Sequence, residues 1–246
     1  MTAQRVAFRN VRGQTLVGLL HGEPDGAVAM SCHGMLSTKD GEKHAMLAEL
    51  LAERGIAMLR FDFAGRGESD GELFDLSYSN EMEDLDAAVS FVAERGIQRV
   101  GVFGSSMGGA VALMAAARDE RIVAVATLAA VGYPEAIAER YMREAAVWRD
   151  QGFIVTDAGR IGCGFLDDAE QHNLIASVRV LRAPILVLHG EDDDIVPCSD
   201  GHDIASAARN AELEIVLGAD HRFSNPVHLR PAMRKIADFL ASHLKA

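Results

Sequence analysis

The chain has 246 residues; Lys plus Arg number 24 and Asp plus Glu 36, a net charge of −12. An acidic surface repels phosphate backbones and argues against nucleic-acid binding. Apolar residues at 49% and charged residues at 24% exclude a disordered chain, and the length suits one domain with room for an insertion.

MTAQRVAFRN opens polar and carries no apolar signal core, so a cytoplasmic protein is expected. Residues Gln4–Asn10 and Thr15–His21 alternate like strands, and the Arg12-Gly13-Gln14 turn between them predicts a hairpin. Ala27–Cys32 is a more apolar third strand. Lys43–Arg54 places Met46, Leu47, Leu50 and Leu51 at helical spacing, with Gly55 as the residue that stops the helix. Ile56–Phe61 predicts a buried strand. Asn80–Arg95 puts Met82, Leu85, Val89 and Val92 on one helical face; Asn80 and Glu83 resemble a capping pair and Gly96 ends the run.

Arg99–Gly104 then predicts a strand, Met107–Arg118 a helix and Ile122–Leu128 a strand. Ile122–Val131, the longest nearly unbroken apolar run, is too short to cross a bilayer. After a long irregular connection, Pro184–His189 reads as a strand, Ser199–Arg209 as a helix, Glu212–Leu217 as a strand and Pro226–Leu244 as the closing helix. Apolar strands alternating with amphipathic helices imply a mostly parallel sheet covered on both faces, with the hairpin adding antiparallel strands at one edge. Ligands of such sheets bind beyond the carboxyl ends of the strands.

The connection breaks the rhythm. Tyr133–Asp150 looks helical and Gln151–Gly164 glycine-rich, with short strands expected there. A long irregular connection in a compact domain is usually functional, so 132–180 is expected to form a cap inserted into a core of 1–131 and 181–246. A pair of ordinary crossover helices is the plainer alternative. Trp148, Tyr141, Phe153 and Phe165 could line a pocket beneath the cap, although aromatic residues in helices more often serve packing. Cys32, Cys163 and Cys198 are odd in number, widely spaced and without a C-x-x-C, which suits neither a disulfide framework nor a zinc site.

The strongest chemical signal is Gly104-Ser105-Ser106-Met107-Gly108-Gly109, a G-x-S-x-G between a strand and a helix. A sharp turn there forces the serine into a strained backbone, and glycines flank it because side chains would collide. Only Ser106 has glycine on both sides at the required spacing; Ser105 would have Phe103 and Met107. The helix that follows points its free N–H groups at any negative charge developing there. A serine hydroxyl needs a base. Of nine histidines, His221 stands out, in a loop just past a strand and after the nucleophile in the chain. His202 and His243 fall in solvent-facing helices, and His228 begins the last one. The base in turn needs a carboxylate to fix its tautomer. The strand Pro184–His189 runs directly into Glu191-Asp192-Asp193-Asp194, which is either a solvated loop or the source of that acid.

On these residues the chain resembles the α/β-hydrolase family across essentially its whole length, including the order serine, acid, histidine. The resemblance implies that family's fold: an eight-stranded, mostly parallel sheet with helices on both faces and a small cap. The family's H-G-x-x-D-x-x-V-P selects Asp193 in His189–Pro197, with Asp192 and Asp194 as competing assignments, and its G-x-x-H matches Gly218–His221. His33-Gly34-Met35 matches the stretch that supplies part of the oxyanion hole, implying the backbone N–H groups of Met35 and Met107 as donors. The H-G-G-G form of lipases is absent. Phe61–Ser69 is similar to the family's D-x-x-G-x-G-x-S loop, whose role is structural; with no lysine and no helix directly after it, it is not a phosphate loop.

H-G-M, G-S-S-M-G-G and a mid-sized cap most resemble bacterial carboxylesterases of the cinnamoyl/feruloyl esterase type, and also serine-aminopeptidase-like and lysophospholipase-like hydrolases. The implied activity is ester hydrolysis through Ser106, His221 and Asp193, with no metal or other cofactor. The expected partner is a small-molecule ester, with no nucleic acid and no membrane; a homodimer is left open. A thioesterase, a C–C bond hydrolase and a small peptidase would use the same three residues. A non-catalytic small-molecule receptor on this fold would have no reason to keep them in order.

Overall fold

A computed structural model describes residues 3–140 and 145–245. Strands β1 (Ala3–Arg9) and β2 (Thr15–His21) form the expected hairpin. Its turn is held by the Asn10 side chain, whose Oδ1 accepts from the backbone N–H groups of Arg12 and Gln14. β3 (Ala27–Cys32), α1 (Glu42–Glu53) and β4 (Met58–Phe61) follow. Gly55, at φ 69°, ends α1 in the left-handed conformation that favours glycine, and Ile56 N–H donates back to Leu51 O.

Helix α2 (Tyr78–Ala93) starts before the predicted Asn80. Its cap is Ser77, whose hydroxyl accepts from Asn80 N–H at 3.0 Å. Asn80 instead donates to Asp75 O, and Glu83 pairs with Arg12, so the Asn80–Glu83 capping pair is not formed. A 3-10 turn at Leu73–Asp75 precedes it.

β5 (Arg99–Ser105), α3 (Met107–Ala116) and β6 (Ile122–Leu128) bring the chain to the irregular connection. There the expected helix over Tyr133–Asp150 opens with a 3-10 turn (Pro134–Ala136) and continues as α4 (Ile137–Arg140) and α5 (Ala145–Gln151), with residues 141–144 outside the described set. A small hairpin of β7 (Phe153–Thr156) and β8 (Gly159–Gly162) meets the expectation of short strands. Two short helices, α6 (Gly164–Ala169) and α7 (Leu174–Val180), complete the connection. β9 (Ile185–Gly190), α8 (Cys198–Ala207), β10 (Ala211–Val216) and α9 (Pro226–Leu244) close the chain.

The eight strands of the main sheet lie in the order β1-β2-β4-β3-β5-β6-β9-β10. β1, β2 and β4 pair antiparallel in succession; from β4 to β10 every pairing is parallel. Every residue of β3 and β9 is buried, the signature of a sheet covered on both faces, whereas β1 at the edge is largely exposed. α1 and α9 cover one face; α2, α3, α7 and α8 cover the other. Among the described residues no helix is long and apolar enough to cross a membrane.

Trp148 is buried, stacks on Phe165 with centroids 5.5 Å apart and donates its ring N–H to Ile161 O. Phe165 in turn stacks on Tyr78 of α2 at 5.7 Å. These two aromatics belong to the main apolar core and not to the wall of a pocket, because they pack against one another and Tyr78. Phe153 lies against Arg160 of the adjacent strand, and Tyr141 lies outside the described residues.

Candidate active site

Ser106 sits at φ 55°, ψ −123°, between the end of β5 and the start of α3. A residue with a side chain on the left-handed side is strained by roughly 1–3 kcal/mol and persists only where its surroundings dictate it. The surroundings here are crowded backbone. A Cβ on Gly104 would lie 2.3 Å from Gly108 O, and one on Gly108 would lie 2.4 Å from the carbonyl oxygens of Cys32 and His33. The glycines therefore let α3 press directly on the end of β3. Ser106 N–H donates to Leu128 O of β6 at 3.0 Å, tying the turn to the neighbouring strand. Met107 opens α3, so its N–H has no acceptor within the helix.

The loops after β9 and β10 are packed together in the same way. A Cβ on Gly190 would meet Ala219 O at 2.2 Å, and Asp192 N–H donates to Ala219 O at 3.0 Å. This brings Asp193 to His221. Asp193 Oδ2 lies 2.8 Å from His221 Nδ1, and His221 Nε2 lies 3.1 Å from Ser106 Oγ. The carboxylate accepts, so Nδ1 carries the proton, and the lone pair on Nε2 faces the serine hydroxyl. The side chains of Asp192 and Asp194 make no ion pair with His221; they face solvent. The Asp220-His221-Arg222-Phe223 turn is stiff: Asp220 O accepts from Phe223 N–H, Asp220 Oδ1 accepts from Ser224 N–H, and the Phe223 side chain is buried.

The Asp193 carboxylate is fully buried. Burial alone would raise its pKa, but hydrogen bonds from His189, His221 and Val196 N–H overcome this and hold it well below the usual carboxylate range. Oδ1 accepts from the N–H groups of Ile195 and Val196, while Oδ2 accepts from His221; His189 Nε2–H is shared between Val196 O at 2.9 Å and Asp193 Oδ2 at 3.2 Å. His189, the end of an expected strand and the first residue of the H-G-x-x-D pattern, had no site role expected of it. The signal that could have found it is its histidine-glycine step four residues before the acid.

On the other side of Ser106, Gly34 packs against the turn: a Cβ there would stand 3.4 Å from Ser105 O and 3.5 Å from Ser106 Cβ. Burial lowers the pKa of His33 to about 4. The neutral ring donates from Nδ1 to Gly34 O and accepts Phe63 N–H at Nε2, which braces the His33-Gly34-Met35 stretch. Asp62 ties the adjacent loop as expected, accepting from Lys39 N–H, Lys39 Nζ and Glu68 N–H.

Met35, Ser106, Met107 and His221 all border one pocket of about 630 Å³, whose apolar wall includes Leu36, Val131, Ile137 and Ile195. Lys43, read from sequence as no more than the first residue of a helix, also reaches it. A lysine in the first turn of α1 stands at the end where the helix dipole disfavours a cation, and that mismatch was the available signal. Among the described residues no three His, Cys, Asp or Glu side chains are grouped to hold a metal ion.

Similarity to known proteins agrees with this architecture. A family model described as serine aminopeptidase, S33 matches residues 22–154. Palmitoyl-protein thioesterase ABHD10, mitochondrial, of Mus musculus is 28% identical over 224 residues, covering 84% of this chain and 73% of that protein. The ferulic-acid-bound structure of Est1E from Butyrivibrio proteoclasticus shares the fold at a TM-score of 0.82 and 19% identity, covering 98% of this chain and 100% of that one. The esterase domain of a Rhodothermus marinus protein matches at a TM-score of 0.76 and 26% identity, covering 99% and 100%. The chain belongs to the serine aminopeptidase, S33 family and is a serine hydrolase of the α/β-hydrolase fold.

Proposed function

We propose that the protein hydrolyses carboxylic esters through an acyl-enzyme on Ser106. His221 takes the hydroxyl proton as Ser106 Oγ attacks the carbonyl carbon. The N–H groups of Met35 and Met107 hold the oxyanion. Removing one such donor in comparable hydrolases slows turnover by about 100- to 1,000-fold. Asp193 keeps Nδ1 protonated and stabilises the imidazolium. His221 then returns the proton to the departing alcohol, and the same residues activate water to release the acid. The observation that carries this reading is the unbroken line from Asp193 Oδ2 through His221 to Ser106 Oγ, at 2.8 and 3.1 Å.

We further propose that 132–180 acts as a cap over a core of 1–131 and 181–246; the support is that Ile137, at its amino end, borders the pocket. An apolar pocket of this size suits a small or aromatic acyl group, as in esterases of the cinnamoyl/feruloyl type. A second reading, a thioesterase, is favoured by the similarity to the mouse palmitoyl-protein thioesterase. The triad is indifferent to the leaving atom. Turnover of 4-nitrophenyl butyrate should vanish in Ser106→Ala with an unchanged circular dichroism spectrum; full activity in that variant would refute the assignment. Parallel rates on an oxygen ester and a thioester of one acyl group decide between the two readings.

A further inference from the structure

Lys43 is half-buried on the wall of the pocket that holds Ser106 and His221. Its Nζ donates to Ser105 Oγ at 3.3 Å, and among the described residues no carboxylate comes within ion-pair distance of it. The acids whose charge acts on it most are engaged elsewhere: Asp220 with Ser224 N–H, and Asp193 with His221. The rest of the wall around it is largely apolar, with Met35, Leu36 and Ile195. An ammonium group drawn out of water without a counter-ion is unfavourable, and a ligand anion would relieve it. Arg222, exposed at the rim of the same pocket, adds a second positive charge. The amino end of α1, which no side chain caps, contributes a third positive influence. Among the described residues Glu42 is the one acid on this wall, and it faces solvent.

We propose that Lys43, with Arg222 at the rim, binds a carboxylate or phosphate group carried by the substrate, so that the enzyme selects anionic esters over neutral ones. The inference rests on the acyl-transfer reading of the same pocket and adds a substrate class to it. The partial burial of the lysine fits this role. Burial is the largest influence on its pKa and lowers it to about 8, with Arg222 acting in the same direction and Asp220, Asp193 and Glu42 opposing. The group is thus still charged at neutral pH, yet poorly solvated, which strengthens its attraction for an anion. The bond to Ser105 Oγ offers a purely structural alternative, in which Lys43 only steadies the end of β5 beside the nucleophile.

The test compares kcat/KM for 4-nitrophenyl butyrate, 4-nitrophenyl hydrogen glutarate and 4-nitrophenyl esters of a phosphate-bearing acid, in the native enzyme, Lys43→Met and Lys43→Arg. The native enzyme should prefer one or both anionic esters by about tenfold or more, the size of one charge-assisted hydrogen bond. Which of the two it prefers identifies the group. Lys43→Met should lose that preference and Lys43→Arg should keep it. A native enzyme without preference, or a preference that survives in Lys43→Met, overturns the proposal. So does an equal loss on all three esters in Lys43→Met, the result expected if the lysine only steadies the turn. Failure of the triad reading looks different: turnover of the neutral ester would then persist in Ser106→Ala.

Discussion

Donors reach both oxygens of Asp193: Ile195 N–H and Val196 N–H on one, His221 Nδ1–H and, shared with Val196 O, His189 Nε2–H on the other. Only a carboxylate can accept on both sides. In Asp193→Asn the amide NH₂ must face either two backbone donors or two imidazole donors, so the variant either loosens the loop or reverses the tautomer of His221. We expect kcat to fall by roughly 1,000- to 10,000-fold. Steady-state kinetics check this, and a loss below tenfold would contradict the role given to Asp193. At this scale Ser106 and His221 were legible as candidate residues from position alone: one lies at a strand-turn-helix junction, the other in a loop past a strand after that serine. Asp193 needed the family pattern, because three consecutive aspartates offer no local reason to prefer the middle one. His189 and Lys43 were not legible as site residues. Both border the site through contacts with residues 193 and 105 that no periodicity encodes.

The elements themselves are built around close backbone approach. Gly108 has an ordinary helical position, yet a Cβ there meets the carbonyl oxygens of Cys32 and His33 at the end of β3, neither of which can swing away. Gly108→Ala should destabilise the protein by about 2–3 kcal/mol through overpacking. The measurement is the urea midpoint at unchanged slope; a midpoint equal to the native one would mean that α3 can shift without penalty. Long elements were readable because their apolar residues repeat over several turns or along a fully buried strand. α6 and α7 were missed for the converse reason: at six and seven residues they are too short to display a helical period. The start of α2 was misplaced because Asn80 and Glu83 match a capping pattern, while Ser77 supplies the cap and fixes the first turn.

At the scale of the whole molecule, the connection between β6 and β9 shares its apolar core with the sheet. Trp148, Phe165 and Ile161 belong to the same buried cluster as Val100 and Leu113, and the Trp148–Phe165–Tyr78 stack runs from the connection into α2. Trp148 is the sole tryptophan, so its fluorescence reports on this segment. Denaturation curves from fluorescence and from far-ultraviolet circular dichroism should coincide, as for one cooperative unit. A fluorescence transition that precedes the other would show a cap that unfolds by itself. The sheet and its two helical layers were foreseeable from alternating patterns; the joint core was not, because it depends on which faces of short helices meet. All of this places one hydroxyl against one imidazole. Incubation with a fluorophosphonate probe, followed by peptide mass spectrometry, tests that directly. The expected result is a single adduct on Ser106, absent from Ser106→Ala and present in Ser105→Ala. An adduct on another residue, or none while a control hydrolase is labelled, would contradict the assignment.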